Sequence, residues 1–207
     1  MNFFEVFGLE RKLGIDEAAL RRRFYELSRQ HHPDFHQAAP AEAQARALEA
    51  SARVNAAYRA LRDPIARVEY LVRLEEGRET ETFDGDGTSG SKAVDAVKPK
   101  APPELLAEMF EMQEVLQEAR MGGLDETARA TLADQRTRLA ERQTAEEARI
   151  VGPLSAAWDA ATAADRSTLL TAFKEALATR AYLRTVIDDL TETLGGTEEG
   201  HVAHHRH

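Results

Sequence analysis

The chain of 207 residues is 43% hydrophobic and 6% aromatic, and its 27 Lys and Arg against 36 Asp and Glu leave a net charge of −9, a balance that repels phosphate backbones and speaks against general nucleic-acid binding. It holds no cysteine, which excludes disulfides, thiolate metal sites and cysteine nucleophiles. With no basic leader followed by an apolar run and no apolar stretch long enough for a bilayer, a cytoplasmic protein of one or two domains is expected.

Abundant Ala, Leu, Glu and Arg favour helices over strands. The first segment, "NFFEVFGL", places Phe3 and Phe7 one turn apart and stops near Gly8. The second begins at Asp16, a good N-cap, with Ile15 and Leu20 spaced as a hydrophobic staple. Its apolar stripe is Leu20, Phe24 and Leu27, with His31 on the same line, while Arg21, Arg22, Tyr25 and Arg29 fall on the far face. Pro33 ends it. The third runs from about Pro40 to Leu61 on a stripe of Ala47, Ala50, Val54, Ala57 and Leu61. Asp63-Pro64 then supplies an N-cap and an N1 proline for a short fourth helix with Ile65, Val68 and Leu71. The two long helices form an antiparallel hairpin, and "RQHHPDFHQ" is its tip.

Residues 77–100 have the Gly, Ser and Asp content of a flexible linker. Asp84, Asp86, Thr88 and Asp95 loosely echo a calcium loop, but Ser89 stands where the EF-hand turn needs glycine. Residues 1–76 carry 12 basic and 12 acidic side chains, so the whole excess of negative charge lies beyond them. Two regions of different charge suggest two partners. Pro102-Pro103 opens a helix with a stripe of Leu105, Met109, Met112 and Leu116. Gly122-Gly123 breaks it before a long charged helix from about Asp125 to Arg149. Pro153 and Trp158 begin a further piece. Asp165 then starts a last long helix bearing Leu169, Phe173, Ala176, Leu183, Ile187, Leu190 and Leu194, with Arg180 the one interruption. Residues 101–194 thus read as a helical bundle, and 195–207 as a disordered tail with four of the seven histidines.

Three readings compete for His31, His32 and His36. Zinc would want aligned histidines and further ligands, and Pro33 interrupts the helix that would align His32 with His36. A hydrolytic site would need a nucleophile beside a positioned base, and no serine or threonine motif accompanies the loop. The third reading is a rigid recognition tip: Pro33 fixes its own φ and restricts His32, while Asp34 is placed to bond nearby backbone donors. The arginines read either as a solvated helix face or as a contact surface.

His32-Pro33-Asp34 between a basic helix and a helix carrying "VNAAYRAL" resembles the J-domain of DnaJ-type co-chaperones. "FFEVFGL", "HPDFH" and "VNAAYRALRDPIARVEYLVRL", with the helical region beyond, are similar to the HscB branch, which serves iron–sulfur cluster assembly. The resemblance covers residues 1–76 well and 101–194 more loosely. It implies docking on a DnaK/HscA-type chaperone through His32, Pro33, Asp34, Arg21, Arg22 and Arg29, and stimulation of that partner's ATPase by a chain that is itself no enzyme.

In "PPELLAEMFEMQEVLQEAR", Leu106 and Phe110 lie off the core stripe, in a strip with Ala107, Glu111, Glu114 and Glu118. Such a mixture of apolar groups and carboxylates suits an exposed docking site. A wide helix face buried against a neighbour accounts for it equally well. The resemblance implies that Leu106, Ala107, Phe110, Glu111, Glu114 and Glu118, with Tyr182 on the last helix, bind an IscU-type scaffold protein. The expectation is an all-α adaptor without cofactor or metal, joining a J-domain (1–76) to a scaffold-binding bundle. A general J-protein for unfolded clients and a histidine-based metal-binding protein are the alternatives.

Overall fold

The computed structural model describes residues 1–78, Phe110, Met112, Gln117 and 125–202, with side chains placed through Gly195. Its described elements are all helical: α1 (Phe3–Val6), α2 (Glu17–Gln30), a 3₁₀ turn (Pro33–His36), α3 (Ala41–Arg62), α4 (Pro64–Glu75), α5 (Glu126–Arg149), a π-helical turn (Ile150–Leu154), α6 (Ser155–Ala160) and α7 (Arg166–Val202). Among them no helix is long and apolar enough to cross a membrane. The chain forms two units. One takes its residues from Met1–Ala96 and Ile150–Phe173, the other from Val97–Arg149 and Lys174–His207.

Local caps start the helices of the first unit. Asn2 and Glu5 close α1 with a reciprocal capping box. The Asp16 carboxylate accepts from the Ala19 amide at 3.0 Å, and Asp63 from Ala66 at 2.8 Å, so both expected N-caps satisfy an orphan donor. Gly8 and Gly77, after α1 and α4, have φ of 67° and 69°, where a Cβ would be strained. The apolar stripes then decide the packing. α2 buries Leu20 and Leu27, α3 buries Ala47, Val54, Ala57 and Leu61, and α4 buries Val68, Tyr70, Leu71 and Val72. Each large side chain removed from water contributes about 1.5–3 kcal/mol. α3 packs against α1, α2 and α4. Phe24 of α2 stacks on Tyr58 of α3 at 4.0 Å. Phe3 stacks on Tyr70 at 4.5 Å, and its amide donates to the Tyr70 hydroxyl at 2.8 Å.

Residues 150–173, which the sequence pattern groups with the C-terminal bundle, pack here with the N-terminal helices. Pro153 lies in the π-helical turn Ile150–Leu154; without an N–H it cannot continue an α-helical ladder. Ser155 Oγ donates to the Ile150 carbonyl at 2.7 Å inside this turn. Trp158 of α6 is buried edge-on to Phe173 at 6.0 Å, with the Arg166 guanidinium 5.3 Å from its ring. The neighbouring Asp159 then reaches the loop before α2. Its two carboxylate oxygens accept the amides of Leu13 and Gly14 at 2.7 Å each.

Arg67 of α4 holds the same loop from the other side. It is 4% exposed, donates Nε to the Leu61 carbonyl at 2.8 Å, and donates Nη1 to the Leu13 carbonyl. Burial lowers the guanidinium pKa, and the charges of Glu17, Asp63 and Asp159 oppose that shift. A Cβ on Gly14 would stand 3.1 Å from Asp159 Oδ2, so a side chain there would crowd the carboxylate and make it give by a few tenths of an ångström.

The second unit rests on a leucine ladder. Leu132 and Leu139 of α5 are buried with Leu183, Leu190 and Leu194 of α7, and Met112, Tyr182, Val186 and Ile187 pack around them. The Asp125 carboxylate accepts from the Ala128 amide at 2.7 Å at the start of α5. Arg180, the interruption in the α7 stripe, donates Nε to Glu147 Oε1 at 2.7 Å. The α7 backbone continues to Val202, past Gly195, where the sequence suggested a disordered tail. Most of the expected linker, residues 79–100, lies outside the described residues.

Removing Arg67 leaves the Leu13 and Leu61 carbonyls without their donor. Arg67→Ala should therefore lower the stability of the first unit by about 3 kcal/mol. Asp159→Ala, at a partly exposed site, should cost about 1–2 kcal/mol. Trp158 is the only tryptophan and sits in this unit, so its fluorescence in urea reads both changes. An Asp159→Ala midpoint equal to wild type would show that the carboxylate contributes nothing to holding the loop.

Candidate functional site

The tip is built by its own short-range bonds. Pro33, with φ already restricted, starts the 3₁₀ turn Pro33–His36, and His32 caps it. His32 Nδ1 accepts from the Asp34 amide at 3.3 Å, and its carbonyl accepts from the Phe35 amide at 3.1 Å. The first bond puts the neutral ring's proton on Nε2. Thus the His32 side chain, rather than the Asp34 carboxylate suggested by the sequence, bonds the turn's backbone. Asp34 Oδ1 accepts from the Gln37 amide group at 3.4 Å, and Oδ2 stands 3.6 Å from His32 Nδ1. Its side chain is 70% exposed, so the carboxylate keeps acceptor capacity for a partner.

Residues that the motif does not mention brace the loop. His36 Nε2 donates to the Gln30 carbonyl at 3.1 Å, tying the turn back to the end of α2. Gln44 of α3 donates to the carbonyls of Gln37 and Ala39 at 3.0 and 2.9 Å. Gln44 carried no signal in the periodic pattern, because its role is to satisfy carbonyls of a loop whose path the pattern does not fix. His31 is half-buried on the core side of α2, as its place on the stripe implied. His32 and His36 turn ring nitrogens to different backbone groups, so the two do not face a common point along a helix. No residue of the turn is buried.

Arg21, Arg22, Arg29 and Tyr25 are exposed on α2, on the face opposite Leu20 and Leu27. Arg23 is paired with Glu26 at 3.0 Å; no ion pair is described for Arg21, Arg22 or Arg29. The structure therefore brings a basic helix face and an exposed imidazole–carboxylate tip together on one hairpin. Such an arrangement can attract negative charge over distance and offer short-range donors and acceptors from a fixed loop.

The second candidate surface is described only in part. Phe110 is helical and 66% exposed, as an off-stripe position requires. Leu106, Ala107, Glu111, Glu114 and Glu118 lie outside the described residues. Tyr182 is half-buried against the leucine ladder of the second unit, so packing holds at least part of its ring.

Comparison with known proteins agrees with this geometry. Residues 2–70 match the family model of the DnaJ domain. A co-chaperone protein HscB homolog from Azoarcus sp. strain BH72 is 31% identical over 122 residues, which span 59% of this chain and 61% of that relative. Chaperone HscB from Vibrio cholerae has a similar fold, with a TM-score of 0.55 at 23% identity over 97% of this chain and 99% of that one. The crystal structure of human co-chaperone protein HscB gives 0.58 at 20% identity, over 92% and 81%. At these identities the two structures bear on the fold, while the tip and the DnaJ match bear on the family. Residues 2–70 thus match a DnaJ domain, and the chain as a whole is similar to HscB co-chaperones.

Proposed function

We propose that this chain is a cytoplasmic co-chaperone of the iron–sulfur cluster assembly type. It stimulates ATP hydrolysis by a DnaK/HscA-type chaperone and delivers an IscU-type scaffold protein to it. The observation that carries the reading is the His32-Pro33-Asp34 tip, exposed and internally braced, at the end of a DnaJ-domain hairpin with a free basic face. Arg21, Arg22 and Arg29 steer the hairpin onto an acidic chaperone surface. His32 Nε2–H and the Asp34 carboxylate then contact groups that move when hydrolysis proceeds. Contacts made only in the stimulated state raise the rate, not merely the affinity. The chemistry of hydrolysis is the partner's.

The scaffold is held elsewhere. Phe110 is the described member of that surface, and Leu106, Ala107, Glu111, Glu114, Glu118 and Tyr182 enter it on the HscB resemblance. Holding both partners raises the scaffold's effective concentration at the chaperone.

The tip is exposed and contributes little packing, so activity and stability should separate there. Asp34→Asn and His32→Gln should abolish stimulation of the chaperone's ATPase in steady-state assays, with urea midpoints near wild type. Normal stimulation by Asp34→Asn would remove the J-domain reading.

Solvent-exposed charges are screened over roughly 8–10 Å at physiological salt. Arg22→Glu with Arg29→Glu should therefore slow association with the chaperone on the order of tenfold at low salt, and change dissociation much less. Stopped-flow association rates at two ionic strengths check this. A wild-type rate insensitive to salt would end the steering argument.

Truncating Leu106 and Phe110 to Ala should cost on the order of 2 kcal/mol of scaffold affinity, about thirtyfold, while intrinsic ATPase stimulation stays intact. Isothermal titration against the scaffold and a melt of the double variant give the two readouts. A variant that binds scaffold normally sinks the assignment, and so does one that unfolds, since those side chains would then belong to the core.

A further inference from the structure

Seven phenylalanines of this chain are described, and five of them are accounted for by packing. Phe4, Phe7 and Phe173 are buried, Phe3 stacks on Tyr70, and Phe24 stacks on Tyr58. The other two are exposed. Phe110 at 66% lies on the surface already assigned to the scaffold, and Phe35 at 68% lies in the 3₁₀ turn itself, directly after Asp34. The Phe35 amide is taken by the His32 carbonyl at 3.1 Å, and its ring meets the His32 ring edge-on at 6.1 Å. Local bonds thus hold the residue in place while leaving most of its ring in water.

We propose that Phe35 is a specificity-determining contact, which seats in an apolar recess of the chaperone beside the acidic surface that meets the arginines. The inference rests on the docking role of the tip given above and names what the partner must present there. A phenyl ring has no polar atom to offer water, and its burial against apolar surface is favourable without direction or charge. The rest of the hairpin recognises by charge and hydrogen bonds, both of which many acidic proteins could answer. An apolar ring between them adds discrimination of a different kind. A chaperone with a carboxylate or amide at that point would have to bury it unpaired against the ring, whereas one with an apolar recess gains contact. The continuity of Phe35 with His32 and Asp34 identifies the occupant as the same chaperone surface. A second copy of this chain or one of its own segments would cover the tip and compete with docking.

The test uses the full chain with a purified DnaK/HscA-type chaperone and ATP. Phe35→Ala should raise the concentration giving half-maximal ATPase stimulation on the order of tenfold, through faster dissociation. Maximal stimulation at saturation and the salt slope of binding should stay unchanged. Phe35→Leu should recover most of the affinity, and Phe35→Lys should bind as poorly as Phe35→Ala with a steeper salt dependence. Half-maximal concentrations within twofold of wild type for Phe35→Ala would overturn the proposal, as would a Leu variant no better than Ala. A shifted urea midpoint or a changed sedimentation coefficient for Phe35→Ala would also overturn it, by showing that the ring is covered by this chain or a copy of it. Asp34→Asn run in parallel separates the two levels. If it stimulates normally, the docking reading fails; if it is silent while Phe35→Ala is normal, only the role of Phe35 fails.

Discussion

The Leu13–Gly14 peptide is held on both sides by charged side chains, and the placement of the basic helix follows from that. Arg67 takes the Leu13 carbonyl, and Asp159 takes the Leu13 and Gly14 amides. Two residues later Asp16 caps α2, so the clamp sets where the basic helix begins. The arrangement depends on a cation that is almost fully buried. Desolvation disfavours it, and only fixed carbonyls and nearby carboxylates make it tolerable. A buried charge of this kind adds little net stability over a well-packed apolar residue, but removing one partner is costly. It therefore specifies one path for the loop rather than merely strengthening it.

Against that framework the tip is lightly built. Its bonds run between neighbours in sequence: His32 to Asp34 and Phe35, Asp34 to Gln37, His36 to Gln30, and Gln44 back to the loop. None of its side chains enters the core. Rigidity here comes from proline and from satisfied backbone groups, so the surface presented to a partner can be pre-organised without adding to the energetics of folding. The clamp and the tip divide the work. One fixes where α2 begins, and the other holds an imidazole and a carboxylate exposed at the hairpin's end.

The second unit uses a simpler device. Leucines at near-heptad spacing on α5 and α7 face each other, and the single charged intrusion, Arg180, is answered by Glu147 across the pair. That ion pair explains why an arginine is accepted on an otherwise apolar stripe: its stem packs while its head finds a carboxylate. Tyr182, beside it, is drawn into the same packing.

What the sequence determined by itself is what short-range physics determines. Asp16, Asp63 and Asp125 announce helix starts because an N-cap bond closes within three residues. The stripes of α2, α3 and α4 name the core faces because burial follows the helical period. The His32-Pro33-Asp34 tip was legible as an exposed turn for the same reason. Only the tertiary structure decided the rest. Arg67 falls among Ile65, Val68 and Leu71 as an ordinary charged residue until Leu13, 54 positions away, supplies its acceptor. Asp159 reads as one more surface acid until it meets amides 146 and 145 residues earlier. Residues 150–173 carry no local mark of the unit they join. Periodicity tells which face of a helix is buried but not against what, and a polar group's burial is settled by partners that only the folded chain brings near.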